Sequence, residues 1–307
     1  MYCVWEATIG VESETRSIRV SDGPLVLANV CKAWREIAIN LPPLYSRIRL
    51  RHHPRDRDVV ARYLRQTWLP RVGGHPMEVD MSSAGDDPRE DPVLSALAQY
   101  SVQWRSLDML MERQISGPDA IDEIRGRIPL LRKLKFAVDR HLGPPSTPIM
   151  AFSDAPELRE VDLSDCSLRW ISLPWTQLTS IQFSLSSIDN HSMWMSILRH
   201  TSRLETLCIS PSQPFFGHIP ALVQLDCLHT LKFKADPDFL DSFTVPTLKC
   251  LALGRLSRSD LPALRRFLTR SRCSLHSISM DRTPQDVVAS VLASVTTLSE
   301  VRLTDID

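Results

Sequence analysis

The 307-residue sequence has no excess of charge of either sign, because 36 lysines and arginines are balanced by 36 aspartates and glutamates. Proteins that bind nucleic acid through the phosphates usually carry a basic excess or a basic stripe, so the even charge argues against such a partner. The sequence also lacks an apolar run of about 18 residues, which a membrane-spanning helix needs, and it has no charged-then-apolar leader. We therefore expect neither nucleic acid nor a membrane as a partner.

Glycine and catalytic motifs are also scarce. The chain has only 10 glycines, which form no phosphate-binding loop, and it contains no G-x-S-x-G, H-E-x-x-H or G-x-G-x-x-G motif. These absences favour a binding protein over an enzyme, and predict no cofactor and no metal. The 7 cysteines include no C-x-x-C pair. We expect reduced thiols, several of them in the core, in a cytoplasmic or nuclear protein.

What the sequence does contain is a short apolar pattern that recurs along its length. An apolar residue is followed three positions later by a second and two positions after that by a third, as in Leu158-Val161-Leu163. The pattern begins at nine positions that lie 20 to 27 residues apart: 104, 131, 158, 178, 204, 228, 248, 275 and 298. Residues two apart point to the same face of a strand, so each copy predicts a short strand with an apolar inner face. Such strands bury that face only by stacking side by side.

The links between these strands differ in length. The longer ones carry the apolar spacing of helices, which we predict over residues 92–100 and 118–125 and after caps at Asp189, Asp260 and Thr283. Where the step falls to 20 residues, from 158 to 178 and from 228 to 248, a loop or turn should replace the helix. Weaker strand patterns at residues 45–50 and 77–81 would extend the same sheet toward the N-terminus.

This period and pattern resemble those of leucine-rich repeats, which run over roughly 20–29 residues. The resemblance implies an α/β leucine-rich-repeat solenoid, with a curved parallel sheet on one side and helices or loops on the convex side. The asparagine or cysteine that follows the last apolar position in this family is matched only by Cys166. The curvature should therefore be uneven.

The segment from Pro24 to Leu50 carries a second resemblance. As a helix it would place apolar side chains at spacings of three and four on one side, and the prolines at 42 and 43 would end it. It is similar to the second half of an F-box, and the matching residues are Val30, Cys31, Lys32, Trp34, Arg35, Ile37, Ala38, Leu44 and Tyr45. The later segment from Trp68 to Met81 looks like the link between F-box and repeats in F-box families of mushroom-forming fungi. The leucine- and proline-rich first helix of an F-box is missing, since only residues 1–5 could be its tail.

The F-box resemblance implies the substrate-recognition subunit of an SCF-type ubiquitin ligase. An F-box docks on a Skp-type adaptor, the adaptor binds a cullin, and the repeats present a protein substrate. The residues expected to bind the adaptor are Leu27, Val30, Cys31, Trp34, Ile37, Leu44 and Tyr45. The alternative is a stand-alone leucine-rich-repeat interaction scaffold, decoupled from the ligase by loss of the first helix. The expected domains are a partial F-box-like helical segment (1–50), a linker with the first irregular repeats (51–103) and the leucine-rich-repeat solenoid (104–307).

The variable positions between the apolar residues of each strand should face the concave surface, where a substrate would bind. These positions are small and polar with alternating charge, and they lack aromatic residues, which fits a protein or peptide better than a nucleic acid. The residues expected to contact the substrate are Lys133, Lys135, Glu160, Asp162, Gln182, Lys232, Lys234 and Arg302.

Overall fold

The structure is a computed structural model that describes residues 8–10, 19–22, 24–50, 57–83, 91–112, 121–139, 147–185, 191–211, 222–234, 237–295 and 297–304. The chain divides into two compact units. Unit 1 comprises residues 1–158 and 169–174, and unit 2 comprises residues 159–168 and 175–307. Both units combine a parallel sheet with helices, so the predicted α/β class is confirmed.

The described strands of unit 1 are β1 (Thr8–Gly10), β2 (Arg19–Asp22), β3 (Arg47–Leu50), β4 (Met77–Ser83), β5 (Trp104–Met111) and β6 (Lys133–Val138). Unit 1 is built on the parallel strands β3 to β6, with β1 and β2 added at one edge. Its α-helices are α1 (Pro24–Ala28), α2 (Lys32–Ile39), α3 (Arg57–Tyr63), α4 (Leu69–Val72) and α5 (Pro92–Ala98), with a π-helical turn at Leu64–Trp68 between α3 and α4. Strands β3 to β6 pair in sequence order and in parallel, β1 pairs parallel with β3, and β2 pairs antiparallel with β1.

The core of unit 1 lies against one face of these strands. Ile48, Val79, Leu107 and Leu134 stand side by side in register, and all four are buried. Burying each such side chain contributes roughly 1.5–3 kcal/mol. The two weaker strand patterns near residues 45–50 and 77–81 therefore do extend the parallel sheet, as predicted.

Unit 2 contains seven parallel strands in one sheet. Its described strands are β7 (Glu160–Ser164), β8 (Ser180–Leu185), β9 (Thr206–Pro211), β10 (Val223–Gln224), β11 (Thr230–Phe233), β12 (Phe243–Thr244), β13 (Cys250–Leu253), β14 (Ser277–Asp281) and β15 (Glu300–Thr304). Its α-helices are α6 (His191–His200), α7 (Leu261–Ser271) and α8 (Gln285–Ser294). The sheet order is β7-β8-β9-β11-β13-β14-β15, and β10 pairs with β12 in a separate two-stranded sheet.

The inward row of unit 2 is continuous up to its last strand. The buried members of this row are Val161, Ile181, Leu207, Leu231, Leu251 and Ile278. Val301 continues the row on β15 but is 39% exposed, because β15 has a strand neighbour on one side only among the described residues. Each of the nine predicted segments thus contains a strand, and every one but the last buries its inner face.

The predictions for the links between strands are confirmed in part. The two 20-residue steps contain no α-helix in their described residues, as predicted. The first holds a 3₁₀ turn at Trp175–Gln177, and the second holds one at Pro237–Ser242 followed by the two-residue strand β12. Helices α5, α7 and α8 confirm three predicted helices, although α8 begins after Pro284 instead of at it. The predicted helix over 118–125 is wrong in its described part, which holds a 3₁₀ turn at Asp122–Ile124. Helix α6 is also present, but its predicted cap Asp189 lies outside the described residues.

The N-terminal helix differs from its prediction because it is broken in two. Residues 29–30 form a turn, and Cys31 takes an extended conformation (φ −159°) as the residue before α2. Arg35 Nε donates a hydrogen bond to the Ala28 carbonyl oxygen at 2.8 Å, which holds the end of α1 against α2. Before α1 the described residues form strands β1 and β2, while residues 1–5 lie outside the described part.

The cysteines are less buried than the composition suggested. All six described cysteines are free thiols, but only Cys166 is buried, so the prediction of several core thiols is wrong. Burial raises the pKa of the Cys166 thiol to about 12, which keeps it protonated and unreactive at neutral pH.

Asp241 ties the short link before β13 to helix α7. Arg266 Nε donates to Asp241 Oδ2 at 3.0 Å, and Arg270 approaches the same carboxylate at 3.5 Å. The hydrogen bond from Arg266 lowers the pKa of Asp241 below its usual value. The folded protein therefore holds this carboxylate ionised more readily than the unfolded chain does. The resulting stability is present above the unfolded pKa of about 4 and is lost as the pH falls through the lower folded pKa.

We therefore expect Asp241→Asn to flatten part of the acid limb of the stability profile. Urea unfolding midpoints measured from neutral pH downward should show wild type more stable than the variant at pH 7. The two should converge as the pH falls below about 4. A constant difference across this range would contradict the assignment of the pH dependence to Asp241.

Candidate protein-interaction surfaces

An apolar stripe runs along α2 and its two flanks in unit 1. Trp34 and Ile37, three residues apart, share one face of α2, and the exposed Val30 and Leu41 flank the helix on either side. Val30 is 60%, Trp34 50% and Ile37 64% exposed. Ala38 is the buried residue of α2 and anchors the helix to the rest of the unit. Helix α2 therefore buries little of its own apolar surface.

The structure separates the seven residues predicted to bind the adaptor into three groups. Val30, Cys31, Trp34 and Ile37 are exposed, whereas Leu27 and Leu44 are half-buried. Tyr45 is buried, because its ring packs edge-on against Trp68 at 5.2 Å between centroids. The Tyr45 side chain therefore belongs to the core, and we leave it out of the proposed surface. Leu41 was not among the predicted residues, because it follows the end of α2 and falls outside the helical spacing.

Trp34 distinguishes the apolar stripe from other exposed apolar residues. In the described part of the chain, it is the one aromatic side chain among the large apolar residues that are exposed. Isolated exposed leucines and valines are normal, but a contiguous apolar group that includes tryptophan is typical of a protein-binding surface.

The outward face of the unit 1 strands is covered by ion pairs between neighbouring strands. Arg47 pairs with Glu78 at 2.9 Å, and Arg49 pairs with Asp80 at 3.3 Å. Lys135, one of the predicted substrate contacts, pairs with Asp108 at 3.4 Å. Each pair joins residues that stand directly opposite each other in the parallel register. The first two pairs were missed, yet the sequence contains their signal: Arg47 and Glu78 both precede the same inward position of their strands.

The outward face of unit 2 carries the remaining predicted substrate contacts except Lys133, which is exposed on β6 of unit 1. Asp162 accepts a hydrogen bond from Gln182 Nε2 at 3.2 Å, and Lys234 Nζ lies 3.6 Å from the Asp281 carboxylate. Arg302 pairs with Glu300 at 2.7 Å on the same strand. Glu160 and Lys232 are exposed as predicted. Several of these charged side chains thus already form ion pairs or hydrogen bonds with one another.

The outward side chains of strand β13, which lies between β11 and β14, are small. They belong to Cys250 and Ala252, and Gly254 follows the strand. A side chain at Gly254 would meet the backbone of Lys234, since an added Cβ would lie 3.3 Å from the Lys234 Cα atom. Lysines 232 and 234 therefore border small residues on this side.

Cys208 is the one thiol on the face that sits beside a lysine in register, next to Lys232. Burial raises the pKa of the Cys208 thiol, and the hydrogen bond with Ser210 and the charge of Lys232 offset this only in part. The thiol remains protonated at neutral pH, so the arrangement does not create a nucleophile.

The outward positions of the described strands carry no aromatic residue in either unit. The polar face therefore has no large anchor of the kind that dominates tight interfaces, whereas the apolar stripe has one. Among the residues described, no cluster of histidine, cysteine, aspartate or glutamate could hold a metal ion, and no helix is both long and apolar enough to cross a membrane.

Comparison with known proteins does not identify a family for this chain. No protein-family model matches the sequence, and a search of curated proteins finds none with significant similarity.

Proposed function

We propose that this protein is the substrate-recognition subunit of an SCF-type ubiquitin ligase, with a leucine-rich-repeat solenoid as its substrate-binding part. The apolar stripe on α2 would bind a Skp-type adaptor, which links the protein to a cullin in the cytoplasm or nucleus. The polar outward positions would bind a protein substrate. The protein would perform no bond chemistry itself. It would raise the concentration of its substrate near a ubiquitin-carrying enzyme held by the same assembly.

The observation that carries this proposal is the exposure of Trp34 and Ile37 on one face of α2. Both residues fall within the F-box-like sequence. The segment that resembles a docking motif is therefore also a segment whose apolar side chains are exposed. Covering a stripe of this kind removes apolar surface from water and contributes about 25 cal/mol for each Å² buried. A partner with a complementary apolar groove is therefore the chemistry that this surface fits.

The stacking of short parallel strands supports the repeat part of the proposal. The inward residues of β7, β8, β9, β11, β13 and β14 in unit 2 occupy equivalent positions, one from each strand. A sheet of this kind presents many adjustable outward positions on a fixed backbone, which suits recognition of an extended protein surface.

Retention of a Skp-type adaptor tests the proposal directly. We expect the tagged protein to co-purify with the adaptor, and Trp34→Ala or Ile37→Asp to weaken binding by about tenfold or more, as for a truncated interface hot spot. Because both side chains are exposed, the melting temperature should change little. Lys32→Ala is the matched control, since Lys32 is exposed on α2 away from the apolar stripe.

Failure of the wild-type protein to retain the adaptor would overturn the ligase assignment. The alternative, a stand-alone interaction scaffold, is favoured by one observation: strands β1 and β2 occupy described residues ahead of α1, where an F-box has its first helix. Under that alternative, the wild type and the Trp34→Ala variant would be equally unable to bind the adaptor.

A further inference from the structure

The outer edge of β15 leaves apolar side chains exposed at one side of the unit 2 sheet. Strand β15 pairs in parallel with β14 and has no second strand neighbour among the described residues. Its inward side chains, Val301 and Leu303, continue the buried rows of the sheet but are 39% and 37% exposed. Leu292, on α8 in the link to the same strand, is also 37% exposed. An edge strand with open backbone groups and open apolar side chains is a template for pairing with another strand.

The backbone of β15 determines which residues can pair across this edge. The Glu300 N–H group donates to the carbonyl oxygen of His276, the residue before β14, at 2.9 Å. The backbone groups of Glu300 therefore point toward β14. Successive residues of a strand point their backbone groups to opposite sides, so those of Val301 and Leu303 point away from β14. An added strand would form hydrogen bonds with Val301 and Leu303, and it would also cover their side chains.

The outward side chains of β15 make this edge complementary to a second copy of itself. Glu300 and Arg302 pair with each other at 2.7 Å, and their side chains are 47% and 70% exposed. If a second β15 runs antiparallel with the two Val301 residues opposite each other, Glu300 of each copy stands opposite Arg302 of the other. These are non-hydrogen-bonded positions, where facing side chains approach most closely. A slide of two residues in either direction would instead place Arg302 opposite Arg302, or Glu300 opposite Glu300, and like charges that face each other are unfavourable.

We propose that β15 is a self-association edge, at which a second copy of this chain adds its own β15 in antiparallel orientation. The two-fold axis passes between the two Val301 residues, perpendicular to the sheet. The inward faces of both copies then lie on the same side, and each copy covers apolar side chains of the other. A five-residue strand buries less than the roughly 1,200 Å² of a stable interface, so the dimer is weak and reversible. This inference goes beyond the proposed function and does not depend on it.

Sedimentation velocity of the full-length protein, at about 1 to 200 μM, tests this dimer. We expect the wild type to shift from monomer toward dimer as its concentration rises. Glu300→Arg and Arg302→Glu should each weaken dimerisation by about tenfold, because each turns both attractive cross-strand pairs into repulsive ones. Glu205→Arg is the matched control and should leave dimerisation unchanged. It makes the same change of charge at an exposed position of the same sheet, directly before β9.

Two rescue samples distinguish pairing of two β15 strands from any other contact. The double exchange, Glu300→Arg with Arg302→Glu in one chain, should restore dimerisation. An equimolar mixture of the two single variants should do the same, because opposite charges again face each other. A monomer at every concentration, a dimer that the single variants do not weaken, or a loss that neither sample restores would overturn the proposal. Both side chains are exposed, so an unchanged melting temperature verifies that each variant is folded. Adaptor retention is measured separately, so either idea can fail without the other.

Discussion

Replacing Asp91 by alanine should lower the free energy of unfolding by about 3–5 kcal/mol. The Asp91 side chain is completely buried, and Arg57 Nη2 donates to both of its carboxylate oxygens. The same carboxylate caps α5 by accepting hydrogen bonds from the backbone nitrogens of Val93 (3.0 Å) and Leu94 (3.1 Å). The substitution would leave the largely buried Arg57 without this partner and two helix-terminal amides unpaired, so both losses act in the same direction.

Urea denaturation of wild type and two variants measures this effect. Asp154→Ala is the matched control, because Asp154 also pairs with an arginine in unit 1, Arg125 at 3.0 Å, but both side chains are more than half exposed. Exposed pairs of this kind contribute about 0–1 kcal/mol. Similar losses for the two substitutions would show that burial of the Asp91 carboxylate does not set its contribution.

Phe239→Ala should destabilise unit 2 by a comparable amount, about 3–5 kcal/mol. Phe239 is buried in the short link between β11 and β13, which has no α-helix in its described residues. Its ring stacks on Phe233 at 5.3 Å and meets Phe243 edge-on at 5.4 Å and Trp194 at 6.1 Å between centroids. Removing the ring leaves a cavity among three aromatic side chains. The short link offers few other side chains that could move in to fill it.

Phe239→Leu distinguishes the loss of ring contacts from the loss of burial. Leucine restores most of the apolar volume, so we expect this variant to lose only about 1–1.5 kcal/mol. Differential scanning calorimetry or urea unfolding can rank wild type, Phe239→Leu and Phe239→Ala in that order. If leucine and alanine were equally destabilising, the stability would depend on the stacked aromatic geometry and not on filled volume.

The strands could be predicted from the sequence because their signal is local. Alternation of apolar and polar residues fixes which side chains face inward, and the two 20-residue steps are too short for an α-helix, as their described residues show. Strand register follows from the same pattern, which aligns Leu231 with Leu251 and Leu207. This is why the α/β class and the strands were predicted correctly.

The features that were missed depend on contacts between residues distant in sequence. Tyr45 was assigned to a docking surface, but its ring is buried against Trp68, 23 residues later. The break between α1 and α2 accompanies the hydrogen bond from Arg35 to Ala28, which the apolar spacing of one continuous helix does not reveal. The pattern at residue 298 predicted a buried strand, yet Val301 and Leu303 are exposed on β15, because burial requires neighbours as well as alternation.

The shared register of β9, β11 and β13 has a consequence for how the chain could change in length. Thr206, Thr230 and Cys250 occupy equivalent places on the three strands. Excising residues 230–249 would set Cys250 where Thr230 now stands, and β13 would become the neighbour of β9 with its inward side chains in their present row. The excised stretch includes Phe239, so the shortened protein would give up that aromatic ring. The sheet can therefore lose one whole step from a strand to the next, and only whole steps between equivalent positions preserve its alignment.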